Sequence, residues 1–240
     1  MRKIAIAALL VSLLSVSYAQ ENISKPNGSV RVTADKPVGN VAGTNGSVSL
    51  EDGAQAKNVQ TVNGAITIGR SATVGSVKSV NGKVDVSEDT RAEAIETVNG
   101  GVSLAERVQV ESGVKAVNGR IQLARGAAVG GWVETANGSI QLDHANVGGD
   151  LRTKNGNVEV GPQSIVKGGI LVEKSDSDWG ESKRLPRVVI GPGAVVTGPL
   201  TFEREVELYV SESAKVGPIT GAKPIKFSGD RPSSTMSADR

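Results

Sequence analysis

The 240-residue sequence predicts an all-β fold: a single-stranded parallel β-helix, or solenoid, with about 18 residues per rung. Three observations carry that expectation. A short unit recurs at a fixed period, apolar and polar residues alternate strictly inside it, and aromatic residues make up 2% of the chain, so the core is built from Val, Ile, Leu and Ala.

The period is read from one asparagine. Val62-Asn63-Gly64-Ala65-Ile66-Thr67-Ile68 returns as Val80-Asn81-Gly82-Lys83-Val84-Asp85-Val86 and again as Val98-Asn99-Gly100-Gly101-Val102-Ser103-Leu104. The series Asn27, Asn45, Asn63, Asn81, Asn99, Asn118, Asn137 and Asn155 advances by 18 or 19 residues at each step. After each Asn-Gly the alternation has period two, which is a strand with one buried face. Its inward pairs run from Val30 and Val32 through Ile66 and Ile68 to Val158 and Val160. A second inward column follows at Val38, Ala56, Val74, Ala92, Val110, Val129, Val147 and Val166. A third lies at Val41, Val59, Val77, Ile95, Val114, Val133, Leu151 and Ile170. Three buried segments per unit suit a coil of triangular section whose rungs stack about 4.8 Å apart, a rod on the order of 40 to 50 Å long.

Two details test the register. The outward residue after the third column reads Lys78, Glu96, Lys115, Glu134 and Arg152, so stacked rungs would set opposite charges side by side. The Asn-Gly pair is expected at a tight corner where Gly takes positive φ and stacked Asn amides bond along the rod. An Asn-Gly pair also closes two-residue antiparallel hairpins, but that reading leaves the 18-residue return with a single buried face unexplained.

In chain order, Met1-Arg2-Lys3, the apolar run from Ile4 to Val11 and Ser17-Tyr18-Ala19 have the form of a secretory signal peptide over 1–19, leaving a mature chain from Gln20. Without Arg2 and Lys3 the basic count falls from 27 to 25, equal to the 25 acidic residues, which disfavours a nucleic-acid partner. There is no Cys, so disulfides and thiolate metal sites are excluded, and no stretch of the mature chain is apolar enough to cross a bilayer as a helix. The solenoid domain is expected over 20–222. A polar insertion at about 173–187 lengthens one rung, since Val166 and Val196 are 30 apart rather than 18. Rungs resume at Val188-Val189-Ile190 and around Ala214-Lys215-Val216, and 223–240 is expected to be a polar, disordered tail.

No catalytic, cofactor-binding or metal-binding residues are assigned. His144 is the only histidine and reads as a solvated residue at a rung corner. A calcium roll shares the period of 18 but needs a recurring Asp, here present only as Asp85. Asp85 with Lys83 and Glu159 with Lys154 lie several rungs apart, unlike the clustered groups of a polysaccharide lyase. Two features do stand out. Val62, Val80, Val98, Val117 and Ala136, each preceding an Asn, point outward and form a candidate partner-binding stripe. Trp179, alone among charges in the insertion, is a candidate sugar or protein contact.

At the C-terminal rungs, Val189-Ile190-Gly191-Pro192-Gly193-Ala194-Val195-Val196-Thr197-Gly198 resembles the I-G-x-x-A-x-V-x-G turns of bactofilins, bacterial polymer-forming proteins that fold as a β-helix. The Asn-Gly-x-Ile-x-Leu units are similar to repeats of exported bacterial adhesin families. The resemblance spans Asn27 to about Ile219. It implies a non-catalytic structural or scaffolding protein that assembles with itself, and the signal segment over 1–19 implies export to the periplasm or cell surface. The alternatives are an adhesin or ligand-binding module contacting cell-envelope polysaccharide or protein through the lateral face or the Trp179 loop, and, third, a polysaccharide-active enzyme.

Overall fold

The computed structural model describes residues 20–174 and 185–232. The expected signal segment 1–19, Trp179 and the end of the expected tail lie outside the described residues. Within them the chain is all strand and turn, with 28 strands and no helix. Every strand pairing is parallel, and successive partners lie one rung apart. The result is a β-solenoid of about 11 turns.

One side of the solenoid is an 11-stranded sheet to which each turn gives one short strand, from Val30–Val32 to Ile225–Phe227. The other two sides belong to a 17-stranded sheet, continuous because the early strands bend around a corner without breaking. All three predicted inward columns face the interior, and nearly all their side chains are fully buried in one cluster. Each buried aliphatic side chain contributes about 1.5–3 kcal/mol relative to exposure. Because a rung covers its apolar side only with its neighbours, that gain is shared along the rod.

The asparagines stand in register, Asn27 beside Asn45, Asn45 beside Asn63 and Asn63 beside Asn81. Each side-chain NH2 donates to the amide oxygen one rung earlier, at 2.8–3.1 Å, from Asn45 to Asn155 without a gap. The ladder is therefore polar, with a spare acceptor at its last member. Arg204 Nη1 donates to Asn155 Oδ1 at 2.6 Å and caps it with a cation.

The glycine beside each Asn has a different reason from the one expected. Of the eight, only Gly28 has a positive φ, +89°. The others are glycine because the rungs pass too close for a side chain. A Cβ at Gly82, Gly119 or Gly138 would sit 2.0 Å from the carbonyl oxygen of the corner glycine one rung earlier. Positive φ belongs instead to the corner after the Val-x-Leu strand, at Gly53, Ser71, Asp89, Arg107, Gly126, His144, Gln163 and Gly193. Polar side chains there reach water, so most of these positions do without glycine.

Two boundaries also move. Arg187 already lies in a strand, Arg187–Ile190, so the insertion closes before it. The expected tail begins inside the solenoid: Ile225–Phe227 pairs with the strand before it and Phe227 is buried. A low-hydropathy window hid this strand, because only alternate residues of an outermost rung need be apolar.

Candidate partner-binding face

The Val face is made by strands Gln55–Asn63, Thr73–Asn81 and Arg91–Thr97 with the residues that follow. Counting from inward Val59, Val77 and Ile95, every second residue points out, which brings Gln60, Lys78 and Glu96 into one outward column and Val62, Val80 and Val98 into the next. Between them Thr61, Ser79 and Thr97 turn inward and are buried. Their hydroxyls donate to corner carbonyls of the previous rung, Thr61 to Gly46 at 3.0 Å, Ser79 to Gly64 at 3.3 Å and Thr97 to Gly82 at 3.1 Å. Those bonds answer buried acceptors that would otherwise be costly, and they pin the strand whose next residue is the exposed valine.

Val62, Val80 and Val98 are 41%, 40% and 40% exposed. Val117 and Ala136 continue the line half-buried. With the aliphatic stems of Lys78 and Lys115 the valines line a shallow groove of about 480 Å³ along the rod. The stripe stops at Lys154, which pairs with Glu173 at 3.8 Å, and below at Thr44.

The charge column stacks as the alternation predicts. Lys78 sits beside Glu96, Glu96 beside Lys115, Lys115 beside Glu134 and Glu134 beside Arg152. Lys78 Nζ is 3.0 Å from Glu96 and Lys115 Nζ 2.7 Å from Glu134. The column ends on Asp150, whose carboxylate takes Arg152 at 2.8 Å and the Gly169 N–H at 2.9 Å. Both bonds favour the ionised form and hold the Asp150 carboxyl below its ordinary range.

Elsewhere the chemistry is dispersed. On the outer face of the 11-stranded sheet, Asp85 and Glu159 share a column but are separated in register by Ser103, Gln122 and Gln141. Lys83 pairs with Asp85 at 2.7 Å, and Gln141 donates to Glu159 at 3.1 Å. His144 lies at a rung corner with φ 49°, its Nδ1 2.6 Å from Asp143. Among the described residues, no group of three or more His, Asp or Glu side chains converges as a metal site would require.

Sequence reasoning missed two features. The hydroxyl column is spelled in the Thr or Ser two places before five of the eight Asn, at Thr61, Ser79, Thr97, Thr135 and Thr153, with Lys25, Gly43 and Ala116 at the other three. The second is Trp132, 37% exposed, whose indole lies over the bare backbone of Gly113 one rung earlier with Lys115 Nζ 5.9 Å from the ring centre. A glycine in register beneath an aromatic residue was the available clue.

The geometry defines the class as a parallel β-solenoid. No family model, no curated protein and no solved structure matches the chain.

Proposed function

We propose that this chain is an exported, non-catalytic structural solenoid of the bacterial cell envelope that acts as a scaffold by associating side by side with copies of itself. The observation that carries this reading is the contrast between its flank and its ends. The flank exposes three valines in one column along the rod, and a contiguous apolar strip rimmed by polar residues is the form a partner surface takes. The terminal rungs carry the residues that discourage strand addition. Lys25, Pro26, Lys36 and Pro37 lie on the first, and Lys215, Pro218, Lys223, Pro224 and Lys226 on the last. Those end strands each pair on one side only. Lateral contact is therefore favoured over end-to-end growth. Glu21, close after the Ser17-Tyr18-Ala19 motif, is already paired to the next rung, its carbonyl accepting from the Gly39 N–H. That position fits removal of a leader before folding.

Sedimentation equilibrium tests the reading. Self-association that Val80→Ser with Val98→Ser weakens at least tenfold supports it, and a monomer at every concentration overturns it. Trp132 favours a second reading, a ligand-binding module whose indole stacks on a sugar ring. Binding of cell-wall polysaccharide lost in Trp132→Ala would select that module over the scaffold.

A further inference from the structure

We propose that two copies of this solenoid dock their Val faces in antiparallel orientation, about a two-fold axis that runs along the strands midway between the Val80 and Val98 rungs. The inference rests on the self-association reading and adds polarity and register to it. Its basis is the alternating column that flanks the valines.

With two copies face to face and parallel, the two-fold runs along the rod and reverses the strand direction. An axis through the valines then carries the charge column to the far side of the stripe, where Lys78 and Glu96 meet no opposite charge of their own column. An antiparallel pair whose axis passes through a rung fares no better. Centred on Glu96, it opposes Glu96 to itself and Lys78 to Lys115 of the other copy. Only an axis between rungs sets opposite signs across the interface. Midway between Val80 and Val98, Lys78 meets the second copy's Glu96, and by symmetry Glu96 meets its Lys78. Lys115 then faces Gln60, Glu134 faces Ala42 and Arg152 faces Ser24, so no like charges oppose each other.

The same axis is the one that suits the valines. Val80 lies against Val98 of the other copy and Val62 against Val117, so the exposed stripe is covered along its length. Moving the axis one whole rung toward the C-terminus keeps the signs opposite but sets Val62 against Lys154. Moving it one rung the other way sets Val98 against Thr44. Apolar burial and charge alternation thus select a single register, which neither does alone. Exposed ion pairs add about 0.2–1 kcal/mol each, so their part is to choose the register rather than to supply the affinity. A strip a few side chains wide gives a small interface, and the dimer is weak and salt-sensitive.

The chain has no cysteine, so single cysteines read the geometry cleanly. Opposed sheets pack about 10 Å apart, a span for a short bis-maleimide. An equal mixture of Val62→Cys and Val117→Cys full-length proteins should cross-link into mixed dimers. Because like sites then lie three rungs apart along the rod, about 17 Å from each other, each variant alone should cross-link at least fivefold less. In parallel, Lys78→Glu should raise the dimer dissociation constant about tenfold, and adding Glu96→Lys to it should restore most of that loss. Dimers in which each single-cysteine protein links to itself overturn the antiparallel register while leaving self-association standing. Sedimentation that shows no dimer overturns both.

Discussion

The solenoid turns the same corner in two ways, and the change comes partway along the rod. In the first rungs two residues separate the second inward column from the third, as Lys57-Asn58 does between Ala56 and Val59. The strand runs unbroken through that bend, giving Val38–Asn45, Gln55–Asn63, Thr73–Asn81 and Arg91–Thr97. From Glu111 to Pro199 three residues fill the same place, as Glu111-Ser112-Gly113, Gly130-Gly131-Trp132 and Gly148-Gly149-Asp150, and the last corner, Gly217-Pro218, returns to two. There each strand splits into a pair such as Gln109–Val110 and Val114–Ala116. The added residue breaks the ladder at that corner and sets a run of close approaches along the rod. Hence Gly131, Gly149, Gly168, Gly198 and Gly217 follow one another in a bare column above Ser112. In the two-residue corners the same closeness falls at Gly75, where a Cβ would sit 2.0 Å from the Lys57 carbonyl oxygen, while Lys57 and Glu93 in its register carry side chains. The early region keeps longer continuous strands, and there the exposed valines lie. The later region gives that continuity up and displays Trp132.

The difference is most easily broken at the glycines. A Cβ at Gly131 would fall 1.9 Å from the Ser112 carbonyl oxygen, which is backbone and cannot turn aside. Gly131→Ala should lower the unfolding free energy by about 3 kcal/mol, as overpacking a close contact does. Ser76→Ala in the two-residue corner adds no atom and removes only a hydroxyl, so it should change the unfolding free energy by less than about 0.5 kcal/mol, as Ala94 in the same register one rung later accords with. Urea denaturation compares the two, and equal losses would remove the structural distinction between the corners.

Other features run through both regions and should respond alike in each. Thr97 donates to the Gly82 carbonyl at 3.1 Å and Thr135 to that of Gly119 at 3.0 Å. Thr97→Val and Thr135→Val should each cost about 1–2 kcal/mol by leaving a part-buried acceptor unpaired. Unequal costs would show that the two halves hold the Asn-Gly corner differently. Asn118→Ala breaks two ladder bonds, to Asn99 and from Asn137. Because the ladder is exposed, the expected loss is smaller, about 1 kcal/mol, measured by the same titration.

How much of this was legible in the sequence depends on whether the cause acts along the rung or between rungs. Inward columns, the Asn ladder and the charge stack all follow from period and alternation, which one rung displays in full. The corner change was also visible, since Val41 follows Val38 by three places and Val114 follows Val110 by four, yet its consequence for strand length needs two rungs in contact. The role of Gly64 and Gly82 could not be read from one rung, because the atom that excludes their Cβ belongs to the rung before. Composition suggested positive φ, whereas the cause was distance. Ile225–Phe227 escaped because its apolar residues are too few for a window to register. The candidate stripe could be placed by counting outward from Val59 and Val77, but its fading at Val117 and Ala136 depends on how the later rungs pack.

The smallest expected effect concerns acid, and it compares the three-residue corner with an early-rung corner of the other kind, the one after the Val-x-Leu strand. Asp150, in a three-residue corner, is bonded by Arg152 and by the Gly169 N–H. Asp89, on the solvent side of the early rungs, is held chiefly by Arg107. Both carboxyls titrate below their ordinary value when folded. Their contributions to stability are therefore present above the unfolded pKa, about 4, and are lost as pH falls through the lowered one. Asp150→Asn and Asp89→Asn should each flatten the fall in Tm between about pH 5 and pH 3. Asn keeps an acceptor for Gly169 and tolerates the φ of 59° at position 89, so neither change disturbs the backbone. Salt then distinguishes them. Asp89 rests mainly on a guanidinium in open water, and at about 0.5 M salt its share of the acid response should be screened away. Asp150 is partly held by a fixed backbone N–H, which ions do not screen, so its share should persist. Loss of both at high salt would mean that Gly169 contributes nothing to that carboxylate, and that its N–H gives Asp150 no advantage over an exposed ion pair.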